Sequence, residues 1–162
     1  MSKLHVFGSN SISREGFDKD IPLSENKSIY RAINKNKKEY VVYEVDGGLI
    51  PSNNKSKCDF LLIVQENINR HTGYFIELKG KDCCHALEQL ISSIDFLGQT
   101  ILRYYKTNQI EYIYNCRVST TASVSHNNPN KKYLLLNKKI NNKLKPYKGK
   151  LGIKNTPYIE NV

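Results

Sequence analysis

Cys58-Asp-Phe-Leu-Leu-Ile-Val64, followed by Tyr74-Phe-Ile-Glu-Leu-Lys79 and then a helical run from Asp82, decides how this chain folds. Both short runs carry apolar residues at odd and even positions, the mark of strands buried on both faces of a covered sheet. The segment between them, Gln65 to Gly73, is polar and ends in glycine, which predicts a hairpin. After Lys79 the period changes. Leu87, Leu90, Ile91, Ile94, Leu97, Ile101 and Leu102 recur at three and four residues, so an amphipathic helix runs to about Tyr105, with Asp82 as its N-cap.

Working outward, Tyr40 to Val45 is β-branched and aromatic and stops at the turn signal Asp46-Gly47-Gly48. Pro51 to Lys57 is polar and loop-like. Upstream, a helix is expected from Ser24 to Lys38, with Ser24 as cap, Glu25 in the first turn and Ile29, Ala32 and Ile33 on one face. Downstream, Ile110 to Val118 is a strand, Ser119 to Asn130 a loop, and Tyr133 to Leu136 a last strand. The tail from Lys138 reads as loop and short pieces. The order α-β-β-β-α-β predicts an α/β fold with a mixed central sheet flanked by helices. One domain of 162 residues is expected, with a core at about 24–118 and a basic C-terminal extension, 119–162.

Composition narrows the function. At 39 % hydrophobic with eleven Tyr and five Phe, the chain can bury one real core. No run approaches the roughly 18 apolar residues of a membrane span. The opening MSKLHVFGSN has no signal-peptide pattern, so a cytoplasmic setting with reduced thiols is expected. The four cysteines form no CxxC pair, and Cys83-Cys84-His85 lacks the spacing of a zinc site. Net charge is +10, all of it after Asp95: residues 1–95 hold 13 basic and 13 acidic residues, while 96–162 hold 12 basic residues and only Glu111 and Glu160 as acids. Segregated positive charge points to a polyanion. Arg117 and the lysines Lys131, Lys132, Lys138, Lys139, Lys143 and Lys145 are the candidate nucleic-acid backbone contacts. His126, Asn127 and Asn128 read as a solvated loop.

The chemistry converges on the two central strands. Pairing Gln65 with Gly73 sets Asp59 opposite Lys79 and Leu61 opposite Glu77. Any register with an even sum keeps Asp59, Glu77 and Lys79 on one face. Two carboxylates and an amine in a mostly apolar sheet need a reason, because buried charges cost free energy unless paired. A hard divalent cation supplies one: Mg²⁺ takes one or two carboxylates, keeps waters and uses phosphate oxygens. The Leu78 carbonyl is a further candidate ligand, and Lys79 can neutralise charge developing at phosphorus.

Asp59, Glu77-x-Lys79 eighteen positions on, the strand-hairpin-strand frame and the following helix resemble the PD-(D/E)XK nuclease superfamily, which includes restriction endonucleases, junction resolvases and RecB-type nucleases. The resemblance covers about Ser24 to Val118. It implies a restriction-endonuclease-like core, with Asp59 and Glu77 as metal ligands and Lys79 as the catalytic lysine. Cys58 stands where the name-giving proline often sits. A further acid from the first helix occurs in some branches, and Glu25 and Glu44 are the candidates here. RecB-type members carry a glutamine on the following helix, which Gln89 matches, and often a tyrosine four residues later, where this chain has Ser93. Asp82, Gln89 and Ser93 form a polar stripe on that helix. The expectation is a Mg²⁺-dependent endonuclease, Mn²⁺ substituting, that hydrolyses phosphodiester bonds in double-stranded DNA, with a homodimer giving one site per strand. The alternatives are an inactive nuclease-fold nucleic-acid-binding or assembly protein, and a ribonuclease or toxin with the same metal chemistry.

Overall fold

The computed structural model describes residues 2–52, 56–122 and 130–162. Its elements in chain order are β1 (Arg14–Gly16), β2 (Asp20–Glu25), β3 (Ser28–Ile33), β4 (Tyr40–Glu44), β5 (Phe60–Asn67), β6 (Arg70–Lys79), α1 (Cys83–Asn108), β7 (Glu111–Thr120), α2 (Lys131–Leu144), β8 (Leu151–Asn155) and β9 (Tyr158–Asn161). The protein is α/β: a six-stranded sheet ordered β1-β4-β5-β6-β7-β8, a three-stranded sheet ordered β2-β3-β9, and two α-helices. The first sheet is mixed, antiparallel from β1 to β6 and parallel from β6 through β7 to β8.

The central pair explains the architecture. Leu61, Ile63 and Phe75 point to α1 and join Leu87, Leu90, Ile94, Leu97 and Ile101 in one core. Leu62, Val64, Tyr74, Ile76 and Leu78 point the other way and join Ile21, Leu23, Tyr30, Ala32 and Tyr158 of the small sheet in a second core. Three layers result, helix, sheet and sheet, which is why the two strands are apolar throughout. Each such side chain taken fully out of water stabilises the fold by roughly 1.5–3 kcal/mol.

The expected first helix is instead the β2–β3 hairpin, a correction with a clear cause. Ser24 and Glu25 lie on β2 and Ile29 is exposed on β3, paired with Ser24. Burial along both strands alternates with period two, Ile21 and Leu23 in, Pro22 and Ser24 out, Tyr30 and Ala32 in, Arg31 out. The turn residue Asn26 takes φ 53°, a left-handed conformation asparagine tolerates. A sheet therefore covers the face on which a flanking helix was expected.

The C-terminal stretch also departs from expectation. Tyr133 to Leu136 belongs to α2, capped by the Asn130 side chain accepting from the Tyr133 N–H. Ile140 and Leu144 of this helix are buried in the α1 core. The tail then supplies β8 to the large sheet and β9 to the small one, so residues 130–162 are built into both cores. The central hairpin pairs Phe60 with Ile76 and Gln65 with His71, two positions from the expected register, with an irregularity between Gln65 and Asn67. No described helix is long and apolar enough to cross a membrane, and the four cysteines are free thiols.

Candidate active site

The shift of two residues preserves face parity. Regular pairing ends at Phe60 and Ile76; beyond it the Asp59 N–H donates to the Ile76 carbonyl at 3.1 Å, one residue off that register. Glu77 and Lys79 alternate onto the α1 face of β6, while Asp59, just ahead of β5, turns its carboxylate to the backbone of β6; the three meet at the carboxyl ends of the parallel strands β6 and β7. Ligand chemistry in α/β sheets gathers at this edge.

Glu77 is the centre of the site. Its residue is 1 % exposed. Lys79 Nζ stands 4.0 Å from Glu77 Oε1, while Oε2 is buried with no hydrogen-bond partner. Burial, then the neighbouring Asp59 charge, pushes the Glu77 carboxyl well above its usual range, with Lys79 opposing. Asp59 is raised too, by burial and by the Glu25 carboxyl within hydrogen-bonding reach. The Leu78 N–H donates to Asp59 Oδ2 at 2.7 Å and pulls the other way. The Leu78 carbonyl lies on the same edge of β6 as that N–H, since a strand residue presents both groups to one side.

Gln89 reaches the site from the second turn of α1. Lys79 Nζ donates to Gln89 Oε1 at 3.2 Å, and Gln89 Nε2 donates to the Lys57 carbonyl at 2.9 Å. Asp82, from the same stripe, is occupied as the α1 N-cap, accepting from the His85 N–H. Ser93 is fully buried between α1 and the start of β5.

The further acids come from strand ends. Glu25 closes β2 and Glu44 closes β4, and with Ser24, Asp46, Asp59 and Phe60 they line a cleft of about 280 Å³. Glu25 is thus brought beside Asp59 by a hairpin, not a helix. Two participants carried no signal in the sequence. Asp46 follows β4, and Lys57, 4 % exposed, sets its amine 3.5 Å from Asp46 Oδ1 and donates to the Pro51 carbonyl. A lysine in a polar loop reads as solvated until the loop path is known.

The candidate phosphate contacts divide. Arg117 is engaged inside the protein: its guanidinium pairs with both Glu160 oxygens at 2.7 and 3.1 Å, donates to the Cys116 and Lys150 carbonyls, and lies over the Tyr74 ring. Lys132 pairs with Glu88 at 2.9 Å and Lys143 with Asp95. Lys131, Lys138, Lys139 and Lys145 are exposed along α2 and just beyond it. His126, Asn127 and Asn128 lie outside the described residues.

Among the described residues no three His, Cys, Asp or Glu side chains close as a ready-made metal cage. The donor set nevertheless suits Mg²⁺, which binds through one or two carboxylates and fills its shell with water and phosphate oxygen. The fit rests on Glu77 Oε2, a buried carboxylate oxygen with nothing to accept from. No family model, curated protein or solved structure matches this chain.

Proposed function

We propose that this protein is a Mg²⁺-dependent phosphodiesterase of the PD-(D/E)XK kind, acting on nucleic acid and most simply on duplex DNA. The buried, unpartnered Glu77 oxygen beside Asp59 carries the reading. A carboxylate removed from water next to another carboxylate is unfavourable unless a proton or a cation relieves it. Asp59 and Glu77 would hold Mg²⁺, with the Leu78 carbonyl as a further ligand, and Mn²⁺ would substitute. Such an ion supplies Lewis acidity and a water of lowered pKa at a phosphorus centre.

The chain's own groups do the rest. Lys79 sets its ammonium beside the carboxylates, where negative charge on the phosphoryl oxygens grows as water attacks. Gln89 holds that amine through one hydrogen bond, so Lys79 meets the substrate already oriented. The Leu78 N–H fixes one Asp59 oxygen and so sets the carboxylate between Glu25 and Glu77. Backbone phosphates are assigned to Lys131, Lys138, Lys139 and Lys145, which project to solvent, and not to Arg117, whose donors are used internally.

A plasmid-nicking assay tests the reading. Wild type should nick and linearise supercoiled DNA in Mg²⁺ or Mn²⁺ and do nothing in EDTA, and Glu77→Ala and Lys79→Ala should be folded and cut at least about 10²-fold more slowly. Cleavage that persists in EDTA, or at close to the wild-type rate in either folded variant, removes the assignment.

A further inference from the structure

The residue before Asp59 is a cysteine and so carries a backbone N–H. That N–H sits at the buried start of β5, where the α1 layer closes over the strand. It donates to Ser93 Oγ at 2.8 Å. The same hydroxyl donates to the Gln89 carbonyl at 2.9 Å. One turn earlier, the Gln89 side chain binds the Lys57 carbonyl and receives the Lys79 amine. The single peptide group that joins Lys57 to Cys58 is therefore clamped at both its carbonyl and its N–H by two side chains one helical turn apart. Ser93 is 0 % exposed.

We propose that Ser93 is a positioning residue: by accepting from the Cys58 N–H it fixes where β5 begins, and with it the Asp59 carboxyl. The inference rests on the metal-site reading of Asp59 and Glu77 for its functional consequence, but its mechanical part stands on the hydrogen bonds. Asp59 begins one residue beyond the clamp, before regular pairing of β5 starts at Phe60. The Asp59 N–H to Ile76 bond and the Leu78 N–H to Asp59 Oδ2 bond tie its backbone and carboxylate to the backbone of β6. Removing the Ser93 hydroxyl leaves the Cys58 N–H buried and unpaired, and the chain must shift to satisfy it. The shift falls on the residue next in line. An outer partner of this sort typically changes metal affinity by about 10- to 100-fold without touching the ion.

The test uses full-length wild type, Ser93→Ala and Ser93→Thr, the last retaining the hydroxyl. Amide hydrogen exchange is read at Cys58, at Leu78, whose N–H binds the Asp59 carboxyl, and at Ile63 inside β5. In Ser93→Ala the Cys58 and Leu78 amides should exchange at least about tenfold faster while Ile63 keeps its rate, and Ser93→Thr should match wild type. A wild-type rate at Leu78 in Ser93→Ala, or acceleration of Ile63 in step with it, overturns the proposal. Isothermal calorimetry with Mn²⁺ adds the functional arm: Ser93→Ala should bind about tenfold more weakly than wild type, and equal affinities overturn the positioning role. A wild type that takes up no Mn²⁺ overturns the metal reading of the site instead, and the exchange rates then decide Ser93 by themselves.

Discussion

β6 buries an ionisable side chain near each end, both on the α1 side, and the two are treated differently. His71 is 0 % exposed, its Nδ1 lies 3.2 Å from Tyr105 Oη, and its Nε2 has no partner. Its surroundings are aromatic: the Tyr105 ring meets it edge-on, and Tyr105 Oη joins Tyr114 Oη at 3.0 Å. Burial, with the Lys3 charge adding to it, holds His71 down to about 4, so it is a neutral ring lacking one hydrogen bond. Glu77 also lacks one partner, but its neighbours are Lys79 and Asp59, and Asp59 in turn lines an acidic cleft. An orphan atom among tyrosines is a modest packing cost. An orphan oxygen beside another carboxyl is unfavourable until a proton or a cation relieves it, and the proposed metal site rests on that difference.

The largest effect that would break this contrast lies in turnover. Lys79→Ala should lower cleavage by about 10²–10³-fold, the usual loss when one preorganised charge-stabilising donor is removed, whereas His71→Leu should cut at close to the wild-type rate. Single-turnover cleavage of a labelled duplex measures both, and equal losses in the two variants would erase the distinction.

Next comes acid stability. The folded pKa of His71 lies below its unfolded value, so its stabilisation is complete above about 6.5 and is lost as pH falls through about 4. Chemical unfolding of wild type should weaken by on the order of 2–3 kcal/mol across that window, and His71→Leu should lose that slope. Glu77 has the opposite sign. Its folded pKa is raised, so its contribution is present below about 4.5 and is lost as pH rises. In EDTA at pH 8, Glu77→Gln should therefore be more stable than wild type by on the order of 1–2 kcal/mol, an advantage that shrinks at pH 4.5 or when Mn²⁺ is added to wild type. Thermal melts read this, and a less stable Glu77→Gln at pH 8 would place a satisfied carboxylate at 77.

The smallest effect concerns the exposed face of α2. Lys139→Gln should flatten the log–log salt dependence of duplex binding by at most about 0.9, the share of one phosphate contact, while Lys132→Gln, whose amine already pairs with Glu88, should change it less. Fluorescence anisotropy across a salt series separates them, and identical slopes for both variants and wild type would move the nucleic-acid surface off α2.

Parity explains why much of the site was legible. Glu77 and Lys79 share a face of β6 whatever the register, and the two-residue slip left Asp59 beside them, held to β6 by bonds outside the regular ladder. Gln89 came from the resemblance to RecB-type nucleases, with the polar stripe Asp82, Gln89 and Ser93 adding helical spacing to it. Strands β4 to β7 and helix α1 were readable because each shows one period and a clear stop. The β2–β3 hairpin was not, because Ile29, Ala32 and Ile33 also fit helical spacing and the turn at Asn26-Lys27 has no glycine. In α2, Tyr133-Leu134-Leu135-Leu136 imitates a strand, yet Leu134 and Leu135 are exposed while Ile140 and Leu144 turn inward. Asp46 and Lys57 depend on a loop path that no period encodes.

The small sheet has a consequence for the order in which the molecule can be completed. β3 has β2 on one edge and β9 on the other, and β9 is 125 residues further along the chain, counted from Ile33 to Tyr158. Tyr158 fills the second core, and Glu160 receives both Arg117 and the Tyr30 hydroxyl. Until synthesis has passed Asn161, the hairpin that carries Glu25 has an unpaired edge and Arg117 has no carboxylate. A nascent chain can thus assemble α1 against the central strands while the outer edge of β3 is still open, and β9 is the strand that covers it.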